Sequence, residues 1–266
     1  MLESAKRALT EAVITSGPLV IGATGGSGTR VVARLARHAG YDLGRNLNSA
    51  EDALEFYSFH DKWINRFVSV ERRGETLPKA EAEQMESELQ SALDRHCPET
   101  IRKERLWGWK APRSIYLLPF LHRQLANLKF IHVLRDGRDM VLSPNQNQSR
   151  KHAAAVLNWS ERVFRPAPER AMLLWERANL HAAEFGESNL RDNYLRVRFE
   201  DLCARPIETT AQIMNFLGAR VDPEPIARSE ISPPATLQRW QKYPPRLIEK
   251  LERLGAASLR KFEYLA

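Results

Sequence analysis

The chain has 266 residues, of which 43% are hydrophobic and 27% charged, fractions that are ordinary for a globular protein with one sizeable core. The formal net charge is +7, and because the arginines and lysines are dispersed, we expect a preference for anionic ligands and not a nucleic-acid surface. The two cysteines are far apart and no zinc-ligand spacing occurs, which favours a reducing compartment, and we expect the cytoplasm. No apolar run reaches membrane-spanning length, so no membrane span is predicted. The length predicts a single domain over residues 1–266.

The first 16 residues mix charged and apolar side chains. Glu3, Lys6, Arg7 and Glu11 lie between apolar residues, a pattern typical of an amphipathic helix. The segment lacks the continuous apolar core of a signal peptide.

A glycine-rich stretch follows the first apolar run of the chain. Leu19 to Ile21 are apolar, and apolar residues return at helical spacing after Thr29, which predicts a strand, a tight loop and a helix that opens near Ser27. Loop glycines allow positive φ angles and bring backbone N–H groups close to an anion, to which a helix N-terminus adds its dipole. These glycines are Gly22, Gly25, Gly26 and Gly28. The positive charge of Arg30 is unfavourable near the positive end of that dipole unless an anion lies nearby. The stretch therefore predicts an anion-binding loop, with a ligand-free turn as the alternative.

The loop departs from the G-x-x-x-x-G-K-[ST] motif of ATP- and GTP-binding proteins. Ala23 stands five positions before Gly28, and Thr29 occupies the position of the motif's lysine. A nucleoside triphosphate kinase is therefore disfavoured, but it stays an alternative.

Helical and extended patterns alternate through the rest of the chain. Helical patterns cover residues 51–73, 78–94, 114–121, 151–164, 168–187, 206–217 and the tail to about residue 254. Residues 107–113 are typical of a short buried strand that ends in a loop, and extended apolar patterns cover residues 129–134 and 194–199. We expect Glu51 and Asp52 in the first turn of their helix, after a cap at Asn48 or Ser49, and Ser114 as the cap of a later helix. The alternation predicts an α/β fold of three layers, with a central mostly parallel sheet flanked by helices and ligands at the carboxyl ends of the strands.

A second polar segment directly follows the clearest predicted strand. Arg135 leaves the end of the strand over residues 129–134, and Ser143 lies eight residues later, about two helical turns on. A planar guanidinium and a neutral hydroxyl at this spacing are able to face one phosphate. The alternative is a solvated strand-to-helix turn that Asp136 caps.

Together these segments resemble the sulfotransferases that use 3′-phosphoadenosine 5′-phosphosulfate (PAPS) and release adenosine 3′,5′-bisphosphate (PAP). In that family a strand, loop and helix with Ser-Gly-Thr binds the 5′-phosphosulfate, which matches Ser27-Gly28-Thr29. An Arg and a Ser eight residues apart bind the 3′-phosphate there, which matches Arg135 and Ser143. Lys110-Ala111-Pro112 is similar to the family's Lys-x-Pro element, and residues 198–218 resemble its C-terminal signature. The resemblance implies a P-loop-like sulfotransferase architecture.

Two residues depart from the family's pattern. Many members carry Lys or Arg directly before Ser-Gly-Thr, where this chain has Gly26, so we expect the charge near the transferring group from Lys110 first and Arg30 second. Pro144 disfavours a helical backbone at Ser143.

The resemblance implies in-line transfer of a sulfuryl group from PAPS to a hydroxyl or amine of a carbohydrate, a lipid or another small acceptor, and no metal is expected. The residues that it assigns to the cofactor are Gly25, Gly26, Ser27, Gly28, Thr29, Arg30, Arg135 and Ser143. Catalytic roles fall to Lys110 and Arg30, and to a base if the acceptor is a hydroxyl.

The base is expected in the first segment after the loop helix, where some relatives place theirs. Asp52 is preferred over Glu51, and a place in the first turn of a helix is the alternative role of each carboxylate. His60 is expected to be packed or at the surface, and His132 to be structural. The tryptophans either line an acceptor pocket or belong to the core, and they are Trp63, Trp107 and Trp109.

Two other functions stay open from the sequence. A phosphotransferase with an irregular loop would need Mg²⁺ and would bind ATP or GTP more tightly than PAP. A non-catalytic relative would bind the nucleotide without transferring a group, because Gly26 replaces the family's cation.

Overall fold

The computed structural model describes residues 17–98, 102 and 105–265, so the amphipathic helix predicted over residues 1–16 lies outside the described residues. Within the described residues the apolar runs form four strands, which are β1 (Leu19–Ala23), β2 (Gly108–Lys110), β3 (Lys129–Leu134) and β4 (Tyr194–Arg198). The strands make one sheet in the order β2-β1-β3-β4, and every neighbouring pair is parallel. The predicted α/β fold with a central parallel sheet is confirmed.

Side chains alternate between the two faces of the sheet, and helices cover both faces. On one face, Val20 and Phe130 pack with aromatic residues from the segments over residues 53–121. On the other face, Ile21 and Val133 pack against apolar side chains of the first helix and of a later one over residues 206–217. Strands β1 and β3 are buried except at the first residue of β3, as expected of parallel strands between two helical layers.

Helices link the strands and complete the two outer layers. The α-helices are α1 (Thr29–His38), α2 (Tyr57–Arg72), α3 (Lys79–His96), α4 (Leu118–Gln124), α5 (Gly137–Val141), α6 (Asn147–Val156), α7 (Trp159–Phe164), α8 (Ala167–Phe185), α9 (Phe199–Ala204), α10 (Pro206–Leu217), α11 (Pro223–Glu230), α12 (Pro245–Leu254) and α13 (Ala256–Lys261). Short 3₁₀ turns lie at Leu54–Phe56, Pro112–Leu117, Arg191–Asn193 and Arg239–Lys242, and a π-helical turn lies at Gly186–Leu190. In the described part of the chain, none of the helices combines the length and hydropathy that a transmembrane span needs.

The helix predicted over residues 51–73 begins later than expected. A 3₁₀ turn and then α2 carry it, so Glu51 and Asp52 lie before the helix, and the prediction that they occupy its first turn is wrong. The side-chain oxygen of Asn48 accepts hydrogen bonds from the backbone N–H groups of Ala50 and Asp52 at 2.8 and 2.9 Å, which favours a turn over a helix. Glu51 itself has a φ of 65°, which no helix continues.

Two further helix predictions are corrected. The pattern over residues 151–164 belongs to two helices, α6 and α7, because Leu157 is extended and Asn158 forms a capping box with Glu161. Ser114 caps no helix, since it lies inside a 3₁₀ turn and its hydroxyl accepts a hydrogen bond from the Trp109 indole at 3.1 Å.

The strand order places a topological switch point beside β1. From β1 the chain goes to β2 on one side of it and then to β3 on the other side. In open parallel sheets, the crevice at such a point lies at the carboxyl ends of the strands and holds ligands. The glycine-rich loop after β1 and Arg135 after β3 flank this crevice.

Candidate active site

The carboxyl ends of the strands meet at one cleft of about 750 Å³. Each strand brings a different group to it. Strand β1 leads into the loop over residues 25–29, β2 ends at Lys110, and Arg135 and Phe199 directly follow β3 and β4. The cleft therefore collects groups that lie up to about 170 residues apart in the sequence because parallel strands end at the same edge of the sheet.

The glycine loop has the backbone that an anion cradle requires. Gly26 and Gly28 have φ angles of 87° and 85°, in the left-handed region that favours glycine. A Cβ at Gly28 would lie 2.2 Å from the ring of Phe199, so only glycine fits there. The first N–H groups of α1 have no partner within the helix, and its first turn holds no acidic residue. The loop is thus favourable for an anion in both geometry and charge.

The predicted loop residues do not all face the cleft. Gly25, Gly26, Gly28 and Thr29 line it. Ser27 is fully buried, and its hydroxyl donates to the carbonyl oxygen of residue 24 at 2.6 Å, so this side chain braces the loop.

Lys110 brings a buried positive charge to the cleft. Only 1% of the residue is exposed, and its ammonium donates to the Ala50 carbonyl oxygen and to the carboxylate of Asp52. Burial lowers the pKa of Lys110 below its ordinary value, although the hydrogen bond to Asp52 opposes the shift. An ammonium has three donors. Among the described residues two of them have partners, which leaves the third for a ligand in the cleft.

Asp52 lies in the cleft beside this lysine, and Glu51 does not. The carboxylate of Asp52 also accepts a hydrogen bond from the Tyr57 hydroxyl at 3.1 Å. Burial, followed by the charge of Asp52, raises the pKa of Tyr57 to about 12, so this phenol stays a donor at neutral pH. Glu51 turns outward, where its carboxylate binds Arg34 and Arg37 at 2.9 and 2.5 Å. The positive φ of Glu51 sends these two adjacent side chains in different directions.

Several contacts hold the guanidinium of Arg135, but one of its N–H donors has no partner among the described residues. Its guanidinium donates to the Thr236 carbonyl oxygen at 2.6 Å and to Asp139 at 3.2 Å, and it lies 5.4 Å from the centre of the Phe199 ring. Its Nε is buried and has no partner among the described residues. A buried guanidinium with an unused donor at the edge of a cleft fits an incoming anion such as a phosphate.

Ser143 and Arg30 occupy different surroundings from Arg135. Ser143 lies beyond the end of α5, is not part of the cleft lining, and accepts a hydrogen bond from the Asn145 N–H at 3.3 Å. Its contact with a phosphate stays a prediction. Arg30 is exposed at the cleft and donates to the Ser49 carbonyl oxygen at 3.4 Å.

The structure places the predicted tryptophans and His132 in the core, and His60 at the wall of the cleft. The three tryptophans at residues 63, 107 and 109 belong to the buried core and do not line the cleft. His132 is buried in β3 and contacts the Tyr194 hydroxyl at 2.6 Å and the Asn179 side-chain oxygen at 2.9 Å, as expected of a structural histidine. His60 is also buried, at the wall of the cleft, and burial lowers its pKa well below the ordinary value.

Several residues of the cleft were not found from the sequence. Phe199 was recognisable in principle, because it is the last residue of the strand predicted over residues 194–199, although β4 itself ends at Arg198. Arg113 directly follows the Lys110-Ala111-Pro112 element. The others come from loops and helices without a motif, and they include Tyr57, Asn145, Asn147, Gln148, Lys151 and Thr236. Within the described ranges, no group of three or more histidine, cysteine, aspartate or glutamate residues is arranged to hold a metal ion.

Solved structures with this fold come from several organisms. Sulfotransferase STF1 of Mycobacterium tuberculosis is 13% identical, with a TM-score of 0.52 over 95% of this chain and 80% of that one. The sulfotransferase domain of the Synechococcus PCC 7002 olefin synthase is 17% identical, with a TM-score of 0.53 over 91% and 95%. Mouse sulfotransferase SULT7A1, solved in complex with PAP, is 14% identical, with a TM-score of 0.54 over 95% and 89%. At these identities the likeness shows the fold.

Sequence comparison gives the family directly. No curated protein matches the chain significantly. The profile of the Sulfotransferase family, in contrast, matches residues 18–223, which include the glycine loop, Lys110, Arg135 and all four strands described above. The fold and this match agree with the resemblance seen in the motifs, and the chain belongs to the Sulfotransferase family.

Proposed function

We propose that this chain transfers a sulfuryl group from PAPS to a hydroxyl or amine of a carbohydrate, a lipid or another small acceptor. The observation that carries the proposal is that the glycine loop, Lys110 and Arg135 line one cleft at the switch point of the sheet. The PAP that was solved with the mouse sulfotransferase supports the choice of nucleotide.

The two phosphate-bearing ends of PAPS fit two distinct parts of this cleft. The backbone over residues 25–29 and the N-terminus of α1 suit the 5′-phosphosulfate, since they offer N–H donors and no acidic side chain. Arg135 suits the 3′-phosphate, since its buried Nε has no partner in the part of the chain that the structure describes. These two groups follow the adjacent strands β1 and β3, so one nucleotide is able to span them.

The side chains of the cleft supply charge and a proton acceptor for the reaction. When bound, PAPS supplies a sulfuryl group whose bond to the 5′-phosphate oxygen breaks as a bond to the acceptor atom forms. The third donor of Lys110 stabilises the negative charge that develops on the departing oxygen, in place of the cation that Gly26 does not provide. Asp52, which lies in the cleft, takes the proton of an acceptor hydroxyl.

Isothermal titration calorimetry tests the choice of nucleotide. PAP, ATP and GTP are titrated into the protein with and without Mg²⁺. We expect PAP to bind most tightly and independently of Mg²⁺, and Arg135→Ala to weaken it by about 10- to 100-fold, as expected for the loss of a charge-assisted contact. A preference for a triphosphate with Mg²⁺ would instead favour the phosphotransferase.

Transfer itself is tested separately from binding. The protein is incubated with ³⁵S-labelled PAPS and a panel of hydroxyl and amine acceptors, and labelled product is separated and counted. Label that reaches an acceptor supports the enzyme. A protein that binds PAP but transfers no label to any acceptor fits the non-catalytic relative.

A further inference from the structure

The cleft extends across the whole width of the sheet. Strand β2 lies at one edge and β4 at the other, three strand spacings or about 14 Å apart. The groups that suit the two phosphate-bearing ends of the nucleotide follow β1 and β3. Lys110, at the end of β2, and its partner Asp52 are assigned to the reacting groups, so the acceptor is expected on the β2 side of the cleft. Arg113 follows β2 through a short turn, and Lys151 of α6 lines the same cleft.

These two cations share a single carboxylate. Asp61 of α2 binds the guanidinium of Arg113 and also the ammonium of Lys151, the latter at 2.7 Å. Burial acts to raise the pKa of Asp61, but the hydrogen bonds from Lys151 and Arg113 outweigh it and the pKa lies below the ordinary value, so Asp61 is ionised at neutral pH. Two positive charges and one negative charge leave a net charge of +1.

Arg113 lies at the wall of the cleft and is largely shielded from solvent, so its guanidinium is able to contact a ligand there. Its side chain is 11% exposed, and its guanidinium lies 5.2 Å from the centre of the Tyr57 ring. This contact and the ion pair with Asp61 hold the guanidinium at the wall of the cleft. Asp61 does not itself line the cleft, so it sets the charge of this end without meeting the acceptor.

The rest of this end combines polar side chains with small apolar ones. Its lining includes Tyr57, which contacts Arg113, and Asn147, one helical turn before Lys151, together with Ala111 and Pro112. Among the described residues that line the cleft there is no leucine, isoleucine, methionine or tryptophan. A large apolar acceptor would find few partners here, whereas a polar acceptor with a negative group would meet the excess positive charge.

We propose that the acceptor carries an anionic group, a carboxylate or a sulfate, which Arg113 and Lys151 bind while its hydroxyl or amine faces Asp52. The inference rests on the function proposed above and narrows its acceptor to acidic compounds, with acidic saccharides as the class whose hydroxyls also suit the side chains of Tyr57 and Asn147. Arg113 and Lys151 thereby determine specificity and are not catalytic residues.

Matched glycosides test this with the full chain. The acceptors are 4-nitrophenyl β-glucuronide, 4-nitrophenyl β-glucoside and 4-nitrophenyl β-glucoside 6-sulfate, which differ only at carbon 6. Each is titrated by calorimetry into the PAP-loaded protein and assayed with labelled PAPS. We expect the two acidic glycosides to bind at least about tenfold more tightly than the glucoside, with the difference shrinking as salt rises. Preference for one acidic glycoside over the other identifies the anion as carboxylate or sulfate.

Two substitutions should change acceptor binding in opposite directions. Lys151→Gln reduces the net charge of the group to zero, and we expect the KM of the preferred acidic glycoside to rise about three- to tenfold. Asp61→Asn raises the net charge to +2, and the same KM should fall. Lys62→Gln, which removes an exposed lysine of the same helix α2 that pairs with Glu88, is the matched control and should leave KM unchanged.

The outcomes separate this inference from the proposed function. Equal affinity for the glucuronide and the glucoside, no binding of any acidic glycoside at millimolar concentration, or a shift of KM in the same direction in both variants overturns the anionic acceptor while PAP still binds. A protein that ignores PAP overturns the proposed function, and this inference with it.

Discussion

Lys110 ends a strand with a positive charge that burial disfavours. The position of the family's usual cation is Gly26, whose Cβ would meet only the side chain of Met140, at 3.7 Å and beyond. A ligand is therefore able to approach the loop backbone closely at Gly26, and the charge reaches it from the neighbouring strand. At the scale of the residue, the proposed function therefore takes its positive charge from the end of β2 and not from the loop.

The pH dependence of catalysis should report this lysine. Lys110 loses its proton as the pH rises, and because its pKa lies below the ordinary 10.5, kcat/KM should begin to fall at a correspondingly lower pH. In Lys110→Arg the charge persists, so the alkaline fall should move to higher pH, whereas Lys110→Ala should reduce kcat by about 10²- to 10³-fold. An alkaline limb that does not move in Lys110→Arg would assign the titration to another group.

The loop between β1 and α1 is the element with the tightest backbone requirement. Gly28 combines a positive φ with the ring of Phe199, a residue that follows β4. The shape of this candidate anion-binding loop thus depends on a residue at the far edge of the sheet as well as on its own glycine.

Substitution of this glycine should affect both stability and binding. Gly28→Ala adds left-handed strain of about 1–2 kcal/mol and a steric conflict with Phe199, so we expect a loss of about 2–5 kcal/mol in the free energy of unfolding and weaker PAP binding. Gly74→Ala is the matched control, since Gly74 has a φ of 70° with no atom within 4 Å of its added Cβ. The free energy of unfolding of Gly74→Ala should fall by only about 1 kcal/mol, and this variant should bind PAP as tightly as the unchanged protein. Equal losses in the two variants, measured by urea denaturation, would contradict the steric fit.

At the scale of the whole molecule, buried histidines couple stability to pH. Burial lowers the pKa of His132 and of His152 to about 4, while the unfolded chain binds protons near the ordinary value of 6.5. Between these values the unfolded state holds more protons, so the free energy of unfolding falls as the pH falls from 6.5 towards 4.

The loss should be measurable before most carboxylates titrate. Between pH 7 and pH 5, we expect the free energy of unfolding to fall by roughly 2 kcal/mol for each of the two histidines. Urea denaturation at fixed ionic strength measures this change. His132→Asn should be less stable at pH 7 but lose less stability on acidification. A free energy of unfolding that stays level between pH 7 and pH 5 would show that these histidines are not held neutral.

Much of the fold could be predicted from the sequence because its signals are local. The strands are short apolar runs, and the loop is marked by glycine, so β1, β3 and the anion cradle were recognisable. The residues that could not be found are set by tertiary packing. Nothing in the sequence indicates that Arg113 and Lys151, 38 positions apart, meet at Asp61. Nor does it indicate the positive φ that separates Glu51 from Asp52.

The meeting of four strand ends at one cleft also bears on how the chain folds. Gly25, Lys110, Arg135 and Phe199 come together only after every strand has docked in register, so a half-assembled sheet offers no complete binding surface. Under the proposed function, a nucleotide that binds in this cleft stabilises only the fully assembled sheet, because it adds its binding free energy to that state alone. The bound ligand then stabilises the four strands as one unit, so amide hydrogen exchange in all four should slow together when it binds.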